Sequence, residues 1–411
     1  MSPVRTAPAT LAADDGARRA AYLDEVLQLL YPAPCEAGGT VGDTVAEYLI
    51  VPDARRPRLL VPVGSRRIAA AAVRRYAEPQ TRLGRFKRDA IVAALRTGVS
   101  TVLLRDRVRI TSRTGAPRTI EAYLREVLGT DVIVSVHIGP ARPHRKPVLQ
   151  LLTPAGTTLG FAKLGTGPVT RRLVRAETAA LTALAHVGLR HLTVPRVLHA
   201  GQWHGHQVLV QQALPSWRPR APLVEPRLVA AMHEVALSCG VTRGWLTTSR
   251  YWAELRDRLA ALAAHPEGRR LDAVAQAVQA RAGGTRLRFG AWHGDWAPGN
   301  MACLADDLLV WGWERFTPDV PLGFDVLHHD LHRRLSSTPD AAVAAGLTLG
   351  AAPELLAPFD VEPAAATLTG LLYLVDVATR HVTDGPADAG PRWSTLGGWL
   401  LPILTRRVEA L

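Results

Sequence analysis

His293-Gly294-Asp295-Trp296-Ala297-Pro298-Gly299-Asn300 is the stretch that decides how this chain folds. A carboxylate is followed five positions on by a carboxamide, in a segment that Pro298 and Gly299 bend into a loop. The two side chains suit phosphoryl transfer. Asp295 can take the proton of an attacking hydroxyl, and Asn300 offers a neutral oxygen to a Mg²⁺ ion on nucleotide phosphates. The bland alternative is a turn whose Asp and Asn cap backbone groups. Residue usage produces this pattern by chance in about one chain in a thousand of this length. Asn300 is also the only asparagine in the sequence, so no capping habit explains it.

Immediately downstream, Met301 to Leu304 and Leu308 to Trp313 read as a pair of strands. The loop and this strand pair resemble the catalytic loop region of the kinase-like fold, closest to the aminoglycoside phosphotransferase and choline kinase branch, which also writes His-Gly-Asp. The resemblance implies an Asp-Trp-Glu motif at the end of the next strand, its Asp chelating Mg²⁺. Here the run is Trp311-Gly312-Trp313-Glu314, with Gly312 where that Asp belongs. Pro321, Gly323 and Phe324-Asp325 continue the match, so the register holds across the substitution. On a strand, residues two apart share a face, which would let Glu314 point where the missing carboxylate belongs. If the lost ligand limits turnover, Gly312→Asp is expected to raise it by orders of magnitude. His293 and Asp325 are implied as supporting residues, Asp325 beneath the loop. His328, His329 and His332 lack a His-Glu-x-x-His frame and read as helix surface or core rather than a metal site.

Upstream, Val148 to Leu152 and Thr157 to Leu164 are strands joined by Pro154-Ala155-Gly156, and Val169 to His186 is an amphipathic helix. Lys163 stands at the end of its strand, in a chain whose only other lysines are Lys87 and Lys146. The resemblance implies that Lys163 contacts the α- and β-phosphates and pairs with Glu177 on the following helix. A compact ammonium suits that role better than a planar guanidinium. The resemblance also places the adenine on backbone groups at Gln212, Ala213 and Leu214. Pro215 to Pro226 then marks the passage to a helical region.

The expected fold is α+β: a two-lobed protein-kinase-like fold with a small β-rich lobe over residues 119–214. A large helical lobe over 215–411 carries the loop 293–300. Residues 1–118 form a small α/β region, either a domain of its own or an elaboration of the lobe. Within it, Met1 to Arg19 lacks periodicity and reads as a loose tail, and Ala20 to Leu30 as a helix. Ser65 to Tyr76 and Thr81 to Thr97 also read as helices, and Val102 to Ile110 as a strand. Thr119 to Leu128 is a helix with Gly129 as its stop. Residues 139–146 form a basic turn, with phosphate contact and a plain hairpin both open.

Composition narrows the function classes. The 411 residues carry 49 Lys and Arg for a formal charge of +13. Arginine replaces lysine almost throughout, as in proteins of GC-rich bacterial genomes. A positive field favours anionic ligands such as nucleotides. The arginines are dispersed, without interleaved aromatics or a nucleic-acid motif, which makes nucleic acid an unlikely partner. No stretch reads as a membrane span, and Met1-Ser2-Pro3-Val4-Arg5 has no secretory pattern. Cys35, Cys239 and Cys303 are odd in number and far apart, as reduced thiols of a cytoplasmic protein would be. The expected activity is ATP-dependent transfer of a phosphoryl group to a hydroxyl of a small molecule, with ATP and Mg²⁺ as cofactors. The alternative is a nucleotide-binding or scaffolding pseudokinase, because Gly312 replaces the metal-binding Asp.

Overall fold

The computed structural model describes residues 8–76, 90–93, 95–96, 105–113, 118–139, 145–384 and 396–409. The chain divides into two compact units, one of residues 1–178 and 195–217 and the other of 179–194 and 218–411. The class is α+β, with a β-rich unit and a helical unit.

Among the described residues, the first unit is built on one nine-stranded sheet. From edge to edge its strands are Cys35–Ala37, Arg107–Ser112, Asp43–Val51, Leu59–Pro62, Ile133–His137, Val148–Leu152, Thr158–Gly165, His206–Gln212 and Val197–Trp203. Every neighbouring pair is antiparallel. The seam between the first 118 residues and the rest is a ladder: Leu59 pairs with His137 and Leu60 with Val136. Ser135 adds a side-chain bond, its hydroxyl donating to the Leu60 carbonyl at 2.7 Å. Val134, Val136, Leu149, Leu151, Ala162, Leu164, Val208 and Val210 alternate along these strands and are all buried in one core. That period of two is what a half-covered pleated sheet demands.

The helix Pro8–Leu30 lies in this unit. The expectation of a loose tail over the first nineteen residues fails from Pro8 onward. Apolar periodicity is weak there, but alanines favour the helix and Pro8 can open one because its missing N–H is not needed in the first turn. Tyr22, Leu23, Val26, Leu27 and Leu30 recur at helical spacing and join the sheet core. The helix Ile120–Leu128 follows its sequence cues closely. The Thr119 hydroxyl accepts from the Ala122 N–H at 3.2 Å, and Gly129, with φ at 62°, closes the other end. Most of the expected Thr81–Thr97 helix lies outside the described residues, which include helical 90–93 and 95–96. The strand expected over 102–110 is found at Arg107–Ser112. Residues 101–104, and residues 140–144 of the basic turn, lie outside the described set.

The second unit gathers helices around a three-stranded sheet, Thr242–Trp245, Arg286–Trp292 and Thr317–Pro321, and a hairpin, Met301–Cys303 with Leu308–Val310. The segment Ala341–Phe359 has mean hydropathy 1.4 and is long and apolar enough to cross a membrane, which corrects the expectation that no stretch is. In this unit it is a packing helix. Ala344, Ala345, Leu349, Ala352 and Leu356 are buried, and Thr348 donates to the buried Asp330 at 2.8 Å.

The hairpin strand ends at Val310, short of the expected Trp313. Gly312 takes φ at 85°, which turns the chain out of the ladder into a single 3₁₀ turn, Trp313–Arg315. Trp313 is fully buried and its indole N–H donates to the Val310 carbonyl at 3.1 Å. Glu314 therefore lies in a turn, and the strand-alternation argument that aimed it at the Gly312 position does not apply.

Candidate active site

The strand Arg286–Trp292 delivers the chain into the loop. Trp292 is buried, with Phe324 and Tyr373 edge-on to its ring. His293 comes next, fully buried, and its backbone N–H donates to Asp325 Oδ2 at 2.7 Å. The Gly294 N–H donates to the other oxygen, Oδ1, at 3.1 Å. Asp325, on the first turn of the helix Phe324–Ser337, thus clamps two consecutive backbone donors of the loop. Burial pushes its carboxyl up to about 7, against the pull of these bonds. Gly294 itself needs to be glycine: its φ is 80°, and a Cβ would stand 2.4 Å from the Arg315 carbonyl oxygen. Asp325→Ala would strand both N–H groups in the core. At about 1–3 kcal/mol per orphaned donor, the variant should lose roughly 2–6 kcal/mol in urea unfolding. A smaller loss would mean that the loop can re-satisfy them.

His293 has a defined tautomer. Its Nδ1 accepts from the Asp295 backbone N–H at 3.1 Å, so Nε2 carries the proton and faces the Trp311 carbonyl at 3.2 Å. That bond links the loop to the strand-turn bearing Gly312. Pro298–Asn300 forms a 3₁₀ turn that brings Asn300 back over Asp295. Asn300 Nδ2 donates to the Asp295 carbonyl at 2.9 Å and to its Oδ2 at 2.8 Å. Both partners can only accept, so the amide nitrogen faces them and Oδ1 points away. A Cβ on Gly312 would stand 3.1 Å from that Oδ1.

Asp295 keeps its side chain 44 % exposed. One oxygen, Oδ2, is committed to Asn300. The other, Oδ1, lies 3.7 Å from His328 Nε2. Burial pushes the carboxyl up, but His328 and the positive charge of Arg380 outweigh it and hold Asp295 well below the usual carboxylate range. His328 is itself pushed down to about 3 by burial, so at neutral pH an ionised Asp295 faces a neutral imidazole. Arg380 donates to the Gly294 carbonyl at 2.6 Å and lies 5.5 Å over the Trp292 ring. Sequence reasoning missed His328 as a neighbour of Asp295, along with Tyr373 and Arg380. The latter two lie two helical turns apart on Pro363–Asp384, with no local pattern to mark them.

Donors for a divalent ion are few. Gly312 offers no side chain, Asn300 offers one neutral oxygen, and among the described residues no three His, Cys, Asp or Glu side chains gather as a metal cage. Such a set fits an ion that arrives on phosphate oxygens and keeps its waters, with Asn300 Oδ1 as a protein contact. It does not fit a resident, protein-caged metal.

The phosphate-contacting candidates belong to the first unit. Lys163 Nζ donates to Glu177 Oε1 at 2.6 Å and Oε2 at 2.7 Å, with Glu177 fully buried. Lys163→Met would leave that carboxylate in the core without its cation. Losing one partner of a buried pair typically costs about 3–5 kcal/mol, so the variant should unfold at clearly lower urea. Wild-type-like stability would show that Glu177 finds another partner. The Gln212 and Ala213 N–H groups donate to Arg196 and Leu159, and the Leu214 carbonyl accepts from Ser216. The Gln212 side chain accepts from Arg196 at 2.8 Å. Those groups are already committed within the unit.

A cavity of about 360 Å³ in the second unit is lined by Tyr251, Glu254, Asp257, Arg258, Trp292 and Asp376, among others. Asp376 pairs with Arg258 and Glu254 with Arg250, so the charges of the wall are largely balanced. Trp217 and Trp245 are exposed, while Trp252, Trp292, Trp296 and Trp313 are core.

No family model and no curated protein matches the chain. Among solved structures it is similar to a Thermobifida fusca YX-ER1 protein assigned as a fructosamine-3-kinase, at 18 % identity over 71 % of this chain and 99 % of that one, TM-score 0.43. It is also similar to a thermostable mutant of aminoglycoside phosphotransferase APH(4)-Ia, solved with ADP and hygromycin B, at 14 % over 71 % and 98 %, TM-score 0.43. Amicoumacin kinase hAmiN, solved with AMP-PNP, Ca²⁺ and its ligand, aligns at 11 % over 68 % and 88 %, TM-score 0.43. Identities and scores this low leave the chemistry to be argued from this chain's own residues.

Proposed function

We propose that the chain is an ATP-dependent phosphotransferase that moves the γ-phosphoryl group to a hydroxyl of a small molecule. The observation that carries this is the state of Asp295. The carboxylate is partly open to solvent, with Oδ2 held by Asn300 and Oδ1 left to accept. A carboxylate oxygen so placed can take the proton of a hydroxyl brought beside it.

In the reaction, the acceptor oxygen forms a bond to the γ-phosphorus. The bond from that phosphorus to the β,γ-bridging oxygen breaks, and ADP leaves with the electron pair. Asp295 Oδ1 receives the hydroxyl proton. Mg²⁺ enters with ATP as part of the substrate, and its charge offsets the negative charge that builds on the phosphates. Asn300 Oδ1 contributes one ligand to it. Lys163, braced by Glu177, is assigned to the α- and β-phosphates, and the base to the Gln212 carbonyl and the Leu214 N–H, since the Gln212 N–H and the Leu214 carbonyl are bonded within the unit. Transfer of this kind rests on positioning and charge more than on covalent chemistry. The rigid bracing of the loop by His293 and Asp325 is what positioning requires. We assign the acceptor to the cavity beside Trp292, whose aromatic and polar lining suits a hydroxyl compound. We place the reaction in the cytoplasm.

A second reading has its own support in Gly312: a nucleotide-binding pseudokinase, in which the metal contact is too poor for turnover. A screen of aminoglycosides, macrolides, sugars and amino alcohols with Mg·ATP, read by ADP release, separates the two. Turnover with any acceptor supports the transferase. A rise in melting temperature on ATP addition with no ADP formed supports the pseudokinase.

A further inference from the structure

We propose that His328 positions the Asp295 carboxylate, through an Nε2–H bond to Oδ1 that completes when substrate binds. The inference rests on the phosphotransferase reading above.

The geometry narrows what this side chain can be doing. His328 is 1 % exposed. Its Nδ1 lies 3.1 Å from the Tyr373 hydroxyl, itself fully buried. Its ring is fixed further by Trp292, edge-on at 6.1 Å, and by the His332 ring at 4.3 Å. With the ring so held, Nε2 is a buried polar atom with no hydrogen-bond partner. The nearest acidic atom is Asp295 Oδ1 at 3.7 Å, just beyond bonding distance.

A buried nitrogen without a partner is costly and asks for a reason. Facing an anion, the imidazole favours the tautomer with its proton on Nε2, and the Tyr373 O–H then donates to Nδ1. A small rotation of the carboxylate would bring Oδ1 within bonding range, as catalytic bonds do when they tighten in the substrate complex. Asn300 holds Oδ2 from one side and His328 would hold Oδ1 from the other. The second lone pair of Oδ1 would then be fixed toward the incoming hydroxyl. His328 touches neither nucleotide nor acceptor in this scheme and acts only through Asp295.

Three variants separate positioning from packing. In His328→Gln, the amide nitrogen reaches the place of Nε2. In His328→Asn, the shorter amide reaches only the place of Nδ1 and can keep Tyr373 company. His328→Leu fills the space without polar atoms. The expected result is kcat within about threefold of wild type for His328→Gln. For His328→Asn and His328→Leu, kcat should fall by about 10–100-fold with KM for ATP unchanged. Equal kcat for the Gln and Asn variants would overturn the proposal, as would losses that merely follow melting temperature. If the wild-type protein transfers phosphate to no acceptor, the phosphotransferase reading fails first. The role of His328 is then decided by ¹⁵N spectra of histidine-labelled protein. An Nε2-protonated neutral ring that shifts toward the Nδ1–H tautomer in Asp295→Ala supports it. An Nδ1–H ring already present in the wild type overturns it.

Discussion

Asp295→Asn is expected to slow phosphoryl transfer by about 10²–10⁴-fold while leaving the fold intact. The replacement is nearly isosteric, and its amide oxygen can still accept the Asn300 N–H that now reaches Oδ2 at 2.8 Å. The Asp295 backbone bonds to His293 and Asn300 do not involve the side chain. What is lost is a basic oxygen at the place of Oδ1. General-base catalysis contributes about 10²–10⁴-fold, so kcat should fall by that range with little change in the ATP concentration for half-maximal rate. Melting temperature and its rise with ATP should stay close to wild type. A variant that keeps more than a tenth of wild-type kcat would show that the proton leaves by another route, and Asp295 would lose its assigned role.

Gly312→Asp is expected to weaken the protein rather than repair it. At the level of sequence, glycine in the place of a chelating Asp reads as a deleted ligand, and restoring the carboxylate reads as a rescue. The backbone says otherwise. Gly312 has φ at 85°, and a Cβ there would lie 3.1–3.3 Å from three atoms of the Asn300 carboxamide. The left-handed conformation alone costs a side-chain-bearing residue roughly 1–2 kcal/mol. To make room, the Asn300 amide must move, and its two bonds to Asp295 depend on where it stands now. Turnover should therefore drop by about tenfold or more, in line with the sensitivity of aligned groups to small displacements. Gly312→Ala, which adds the Cβ without a charge, should show most of the same loss. A gain of orders of magnitude in Gly312→Asp would mean that the loop adapts and that the missing carboxylate was limiting after all.

The contrast between these two positions shows what a sequence carries. The contact between Asp295 and Asn300 was legible because the two stand at a short, fixed spacing and the loop's own turn brings them together. Lys163 and Glu177 were legible for a related reason: strand and following helix set their separation, and a lysine stands out in an arginine-rich chain. Asp325 was placed beneath the loop by resemblance, and its two bonds to the loop backbone account for that place. His328, Tyr373 and Arg380 left no trace, because what joins them to Asp295 is the packing of two helices separated by many residues. The sign of φ at Gly312 was equally hidden, since a strand ending and a turn beginning look alike in Val310-Trp311-Gly312-Trp313. The helix over Pro8–Arg19 was not legible because it rests on the propensity of its alanines and carries little periodicity.

The ladder joining Leu59–Pro62 to Ile133–His137 bears on how this protein can be trimmed. Cutting before the helix Ile120–Leu128 would unzip that ladder and bare a row of unpaired donors and acceptors along Ile133–His137. It would also strip Tyr22, Val26, Leu27, Ile50 and Leu60 from the apolar cluster beneath Val134 and Val136. A raw edge over an opened hydrophobic face is a template for self-association. Shortened versions that begin near residue 119 should clump, and the leading hundred residues are best regarded as masonry rather than ornament.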